Sequence, residues 1–197
     1  VKDPSKRKEL AEVAGQKYLQ DCPELLVFIA DCYRNVKIME EKNSQEIFAN
    51  DGDRFFQAWT DASLMAQNVA CAAELSGLGV VFFGSILNDA RKTIEILNLP
   101  ENTFPVVGLG IGYPDQEPQL KPRIHIEDKL FVDGYEKKDS YLEAFKDYDK
   151  EMQTYYDLRN ARKALDAFTD QVVDKNNKKI AKRSEILEEI KKQGFKL

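Results

Sequence analysis

Lys121 and Arg123 flank Pro122 in a loop that follows Gly108-Leu-Gly-Ile-Gly112. Two cations held beside a glycine-rich backbone suit a phosphate, because each can make charge-assisted hydrogen bonds to its oxygens. Pro122 biases Lys121 towards an extended conformation. Residues 106–111 are apolar apart from their glycines, which is the mark of a short buried strand. The glycines recur at period two, so one strand face carries no side chains, and another backbone or a flat ligand can approach it. Taken alone, the pattern favours a simpler reading, a glycine-weakened strand followed by a solvated loop.

Other chemistries are excluded by residue type. His125 is the single histidine, so a histidine-based metal site or an HExxH helix is absent, and His125 reads as a structural or surface residue. No GxSxG turn supports a serine nucleophile. Gly108-Leu-Gly-Ile-Gly112 begins like a dinucleotide fingerprint, but that fingerprint must open a helix. Here Tyr113-Pro114-Asp115 and Pro118 follow, and prolines forbid one. There is no Walker A sequence. With no activated nucleophile and no acid–base pair, catalysis would need a cofactor.

The positioning elements come from a chain of ordinary globular composition, 197 residues, 43% hydrophobic and 32% charged, long enough for one domain with a real core or for two small ones. A net charge of −5 argues against nucleic-acid binding, and no stretch has the length and apolarity of a membrane span. Cys22, Cys32 and Cys71 form no CxxC pair, which fits a reducing cytoplasm. Cys71, among alanines, reads as a small core residue. Asp3-Pro4 is a good helix start, so residues 4–14 are expected as a helix stopped by Gly15. Val1-Lys2 then reads as the tail of a preceding element, and an N-terminal portion of the protein is expected before it.

Residues 25–30 are expected as a strand buried on both faces, and 34–52 as an irregular, mobile connection. Residues 53–76 carry Phe55, Trp59, Ala62, Met65, Ala66, Val69, Ala72 and Ala73 at helical spacing, which predicts a long, largely buried helix lying between subunits. A buried strand at 79–83 and helices at 86–97, 139–158 and 185–193 follow.

The ordered set Asp31-Cys-Tyr-Arg34, Met65-Ala-Gln-Asn68, Glu74-Leu-Ser-Gly-Leu-Gly79 and Gly112-Tyr-Pro-Asp115 leading to Lys121-Pro-Arg123 resembles the FMN-dependent nitroreductase family. The similarity is to its oxygen-insensitive NADPH nitroreductases and NADPH flavin reductases, and Lys192-Gln-Gly-Phe195 resembles their terminus. The resemblance implies an α+β nitroreductase-like fold over residues 1–197, with a central mixed sheet, flanking helices, a long buried interface helix and a helical C-terminal extension over 136–197. It implies a homodimer with FMN at the subunit interface and NADPH or NADH as hydride donor. Flat acceptors such as nitroaromatics, quinones or free flavin would be reduced in ping-pong fashion.

By match to the family pattern, Lys121 and Arg123 contact the FMN phosphate, and Phe82, Phe83, Gly84 and Ser85 run along the isoalloxazine ring. Gln16 reaches the flavin, and Arg159 recognises the NADPH phosphate. The chain departs from the pattern at Ala14-Gly15-Gln16, where the family has two glycines, and at Gly84-Ser85, where it has Gly-Gly. The basic Arg-Ser-x-Arg helix and Ser-rich loop that open family members are not among these residues. The alternative reading is a cofactor-poor, non-catalytic dimeric scaffold or ligand-binding relative.

Overall fold

The computed structural model describes residues 1–117, 119–156 and 164–197. The chain divides into two compact units, Val1–Pro114 with Ile180–Leu197, and Asp115–Lys179.

The first unit opens with helix α1, Pro4–Ala14. The Asp3 carboxylate accepts from the Ser5 and Lys6 amides, and Gly15 closes the helix at φ 64°. Strand β1 (Glu24–Asp31), helix α2 (Tyr33–Glu41), helix α3 (Gly52–Leu75), strand β2 (Gly79–Phe83), helix α4 (Ala90–Leu97) and strand β3 (Thr103–Gly112) follow. The unit is completed by helix α8, Ile186–Lys192.

The sheet is ordered β1-β3-β2, with β3 antiparallel to both neighbours. The expected mixed sheet is therefore an antiparallel one among the described strands: β1 and β2 run the same way but are separated by β3. The register slips between Phe28 and Ile29, which face Val107 and Pro105. Pro105 has no N–H for the ladder, and a bulge is where a central strand can tolerate it. As an edge strand, β1 buries Leu25 and Ala30 but leaves Leu26 exposed, so it is not buried on both faces as expected.

Phe104 and Leu109 of β3 are fully buried, and Phe55 of α3 packs edge-on against Phe104 and Phe195. In α3, Phe55, Ala62, Ala66, Ala70 and Ala73 form one buried stripe. Phe56, Leu64, Met65 and Leu75 are exposed in the single chain, as is Cys71, which corrects its expected place in the core. Helix α2 occupies the segment expected to be irregular. It buries only Val36, too sparse an apolar pattern to announce a helix. The helix expected over 86–97 is split, because the Asp89 side chain accepts from the Lys92 amide and starts α4 afresh.

The C-terminal residues are tied to the unit by polar contacts. Gln193 is buried and donates through Nε2 to the carbonyls of Pro100 (2.9 Å) and Thr103 (3.0 Å), while the Arg91 Nε donates to Glu189 at 2.6 Å.

The second unit contains helices α5 (Tyr141–Ala144), α6 (Lys146–Met152) and α7 (Phe168–Asn176). The single helix expected over 139–158 is thus two short ones that meet at Phe145 within the described residues. Asp149 accepts from the Thr169 amide (2.9 Å) and hydroxyl (2.6 Å), joining α6 to α7. Among the described residues no helix is long and apolar enough to cross a membrane.

Candidate functional site

Strand β2 alternates, so Phe83 is fully buried while Phe82 is 43% exposed. The buried Phe83 explains the glycines of β3. A Cβ added at Gly108 would lie 3.1 Å from the Phe83 Cβ, and one at Gly110 would lie 2.6 Å from Cys22 Sγ and 2.9 Å from the Phe83 ring. At Gly112 the neighbour would be Pro23, 2.9 Å away. The bare face expected to admit another backbone or a flat ligand is instead filled by this chain's own side chains.

The chain leaves β2 through a 3₁₀ turn, Gly84–Asp89, anchored by buried Ile86 and Leu87. The buried Thr93 hydroxyl donates to the Ile86 carbonyl at 2.7 Å. The first backbone N–H groups of such a turn have no partner within it. Nothing lies within 4 Å of the position a Gly84 Cβ would take, so the backbone there faces open space.

Two side chains brace this turn. The Ser85 hydroxyl donates to Gln16 Oε1 at 3.0 Å, which brings two of the expected ring contacts together. The Arg183 guanidinium donates to the Gly84 carbonyl at 2.9 Å and to Asn88 Oδ1 at 3.3 Å. Next to it Lys182 pairs with Asp89. Burial alone would raise the Asp89 pKa, but hydrogen bonds from Lys182 and the Lys92 amide outweigh it and hold the carboxyl below its ordinary value. Arg183 was not expected from the sequence. It sits in a lysine-rich stretch that reads as a solvated face, and its partners are far away in the chain.

In the second unit Lys121 and Arg123 are both exposed, and neither has an ion-pair partner among the described residues. The Tyr148 hydroxyl donates to the Pro122 carbonyl between them at 3.3 Å. His125 is exposed, and no cluster of metal-ligating side chains occurs among the described residues. Arg159, expected to recognise the NADPH phosphate, lies outside the described residues.

This donor set has no nucleophile–base pair and suits a bound flat group better than covalent catalysis. In the first unit the open backbone at Gly84, the exposed Phe82 ring and the Gln16 amide suit a flat flavin ring, and in the second the two exposed cations, without an ion-pair partner among the described residues, suit a phosphate.

An antiparallel sheet packed against one long helix makes this an α+β chain, and no parallel βαβ unit of the dinucleotide-binding kind occurs among the described residues. The chain belongs to the nitroreductase family. The family's model matches residues 2–113, and that of its C-terminal domain matches residues 121–197.

The chain is 36% identical over 199 residues to an NADPH-dependent oxidoreductase of Staphylococcus saprophyticus, covering 99% of this chain and 78% of that one. It is 33% identical to the FMN reductase (NADPH) of Bacillus subtilis, covering 99% and 79%. The solved structure of NfrA1 from B. megaterium superposes with a TM-score of 0.89 at 30% identity, covering 100% of this chain and 80% of that one.

Proposed function

We propose that this chain is an FMN-dependent NAD(P)H oxidoreductase that reduces flat acceptors such as nitroaromatics, quinones or free flavin. The observation that carries the reading is the Gly84–Ser85 turn, open on one side and braced on the other by Gln16 and Arg183, in a nitroreductase-family chain. The names of the relatives, an FMN reductase and an NADPH-dependent oxidoreductase, support the same cofactor pair. When bound, FMN supplies the hydride chemistry that no side chain here provides.

The chain's residues bind and orient. Lys121 and Arg123 hold the phosphate, while Gln16, Phe82 and the backbone N–H groups of the Phe83-Gly84-Ser85 turn face the ring, the Phe83 side chain being buried against β3. The Ser85 hydroxyl occupies the Gln16 carbonyl oxygen, leaving the Gln16 amide nitrogen to donate. Arg159 recognises the phosphate of NADPH. Oxidation of the nicotinamide and reduction of the acceptor alternate at one site, which gives ping-pong kinetics.

The exposed Phe56, Leu64, Met65 and Leu75 of α3 support a homodimer in which a second copy covers this helix. Three free cysteines are consistent with a reducing cytoplasm.

The purified protein is expected to be yellow, to bleach when NADPH is added and to recover when an acceptor follows. A colourless protein that takes up no FMN in titration would overturn the reading. Lys121→Ala with Arg123→Ala removes two charge-assisted contacts, each of about 1.5–3 kcal/mol, and FMN affinity is expected to fall at least about a hundredfold.

A further inference from the structure

We propose that Tyr148 is a positioning residue for the phosphate-binding loop: its hydroxyl, by holding the Pro122 carbonyl, sets the direction in which Lys121 and Arg123 present their charges. The inference rests on the reading that these two cations take the FMN phosphate.

The tripeptide has few ways to hold itself in place. Among the described residues, positions 113–125 carry no helix or strand, and Lys121 and Arg123 are exposed. Pro122 has no N–H, so its carbonyl is its one backbone handle. The hydrogen bond from Tyr148 at 3.3 Å reaches that handle, midway between the two cations. Pro122 fixes its own φ and restricts Lys121. One anchor on the central carbonyl therefore orients the backbone from which both cationic side chains leave.

The anchor itself is rigid. Tyr148 lies on α6 and is buried, with its ring 5.3 Å from that of Phe168, which in turn lies 5.4 Å from Phe145. The Asp149–Thr169 bonds lock the neighbouring turn of α6 to the start of α7. Burial pushes the Tyr148 phenol pKa above its ordinary value, only partly offset by the nearby Arg123 charge, so the donated proton stays in place at neutral pH. An aromatic cluster, buried at Tyr148 and half-buried at Phe145 and Phe168, thus ends in one polar atom directed at the loop. Preorganising the two cations lowers the ordering cost of binding an anion.

The test uses the difference between FMN and riboflavin, which share the ring and differ by the phosphate. Tyr148→Phe keeps the ring packing and removes the hydroxyl. Apo-protein titrated by flavin fluorescence is expected to bind FMN about three- to tenfold more weakly in Tyr148→Phe, with riboflavin affinity unchanged. An unchanged thermal midpoint confirms that the fold survives. Equal weakening for both flavins would show a merely structural role and overturn the proposal. So would an unchanged FMN affinity in Tyr148→Phe beside a large loss in the Lys121→Ala, Arg123→Ala double variant. If the double variant itself binds FMN normally, the phosphate reading fails, and this inference falls with it.

Discussion

Gly84 has its carbonyl held by Arg183, and Ser85 beside it is bonded to Gln16, on a turn whose next residues are core. Lys121 and Arg123 are exposed and have no ion-pair partner among the described residues, and a hydrogen bond from Tyr148 reaches the proline between them. The first region holds a backbone in a set shape through hydrogen bonds from this chain's own side chains. The second leaves its charges without an ion-pair partner among the described residues, as the proposed phosphate contact requires. The contrast follows from chemistry. A flat ring is bound by shape and backbone donors, which must be rigid beforehand, whereas a phosphate is bound by charge, and cations already paired would have to be unpaired first.

If that contrast is correct, changes in the first region damage the fold before they damage ligand binding. The largest effect is expected from Phe83→Ala. Its ring is fully buried against β3 glycines that cannot fill the gap, so unfolding free energy should drop by about 3–5 kcal/mol in denaturant titration. A loss below about 1 kcal/mol would mean that the turn is not seated on the core as described. Gly110→Ala tests the same seat from the other side. The added Cβ would lie 2.6 Å from Cys22 Sγ and 2.9 Å from the Phe83 ring, and overpacking of this kind costs about 1–3 kcal/mol.

Acid acts on a separate tie, the Glu189 carboxylate of α8 bonded to Arg91 of α4 and to Lys192. Burial alone would raise the Glu189 pKa, but hydrogen bonds from Lys192 and Arg91 outweigh it and hold the carboxyl below its ordinary 4.5. A carboxyl lowered on folding stabilises fully above its unfolded pKa, and that contribution is lost as pH falls through the folded value. Glu189→Gln should therefore cost about 1–3 kcal/mol at pH 7, reduced by the partial exposure of Arg91. The gap between variant and wild type should close as pH drops below about 4.5, as followed by denaturant titrations at stepped pH. A gap that is constant with pH would show that the Glu189 charge does not hold α8 to α4.

The sequence pattern discloses these two regions unequally, for physical reasons. Helix α1 is legible to its last residue because Asp3, Pro4 and Gly15 act locally, as side-chain cap, first-turn residue and left-handed stop. Strand β2 is legible because its apolar run lies between glycines. Lys121 and Arg123 stand out because free cations around a proline are a local arrangement. Arg183 does not stand out, because its role depends on a carbonyl brought near by folding. Cys71 reads as core from its alanine neighbours and Met65 as part of a buried helix face from its spacing, yet both are exposed in the single chain. Periodicity marks an apolar face without saying what covers it. In the 139–158 segment, helical spacing runs through Tyr141, Phe145, Tyr148 and Met152, but the backbone resets at Phe145.

Smaller effects sharpen the contrast further. Ser85→Ala removes the hydroxyl bonded to Gln16, and a loss of about 1 kcal/mol is expected for one such bond. It should also free the Gln16 carbonyl to rotate, which makes flavin binding less tight without disturbing the β2–β3 pairing. Unchanged stability and unchanged flavin affinity together would show that the Ser85–Gln16 bond braces nothing.

The smallest effect on stability is expected where the effect on FMN is largest. Lys121→Ala with Arg123→Ala removes two exposed side chains that pair with nothing among the described residues, and such surface changes shift stability by less than about 0.5 kcal/mol. The apo-protein of this double variant should melt with the wild type, while the FMN-saturated forms separate, because ligand stabilisation scales with the logarithm of free ligand over Kd. A double variant whose apo form is itself destabilised by more than about 1 kcal/mol would show that the cations serve the fold. Two regions that both fail in the apo state would then be one structural unit, and the division between a shape-bearing turn and a charge-bearing loop would not hold.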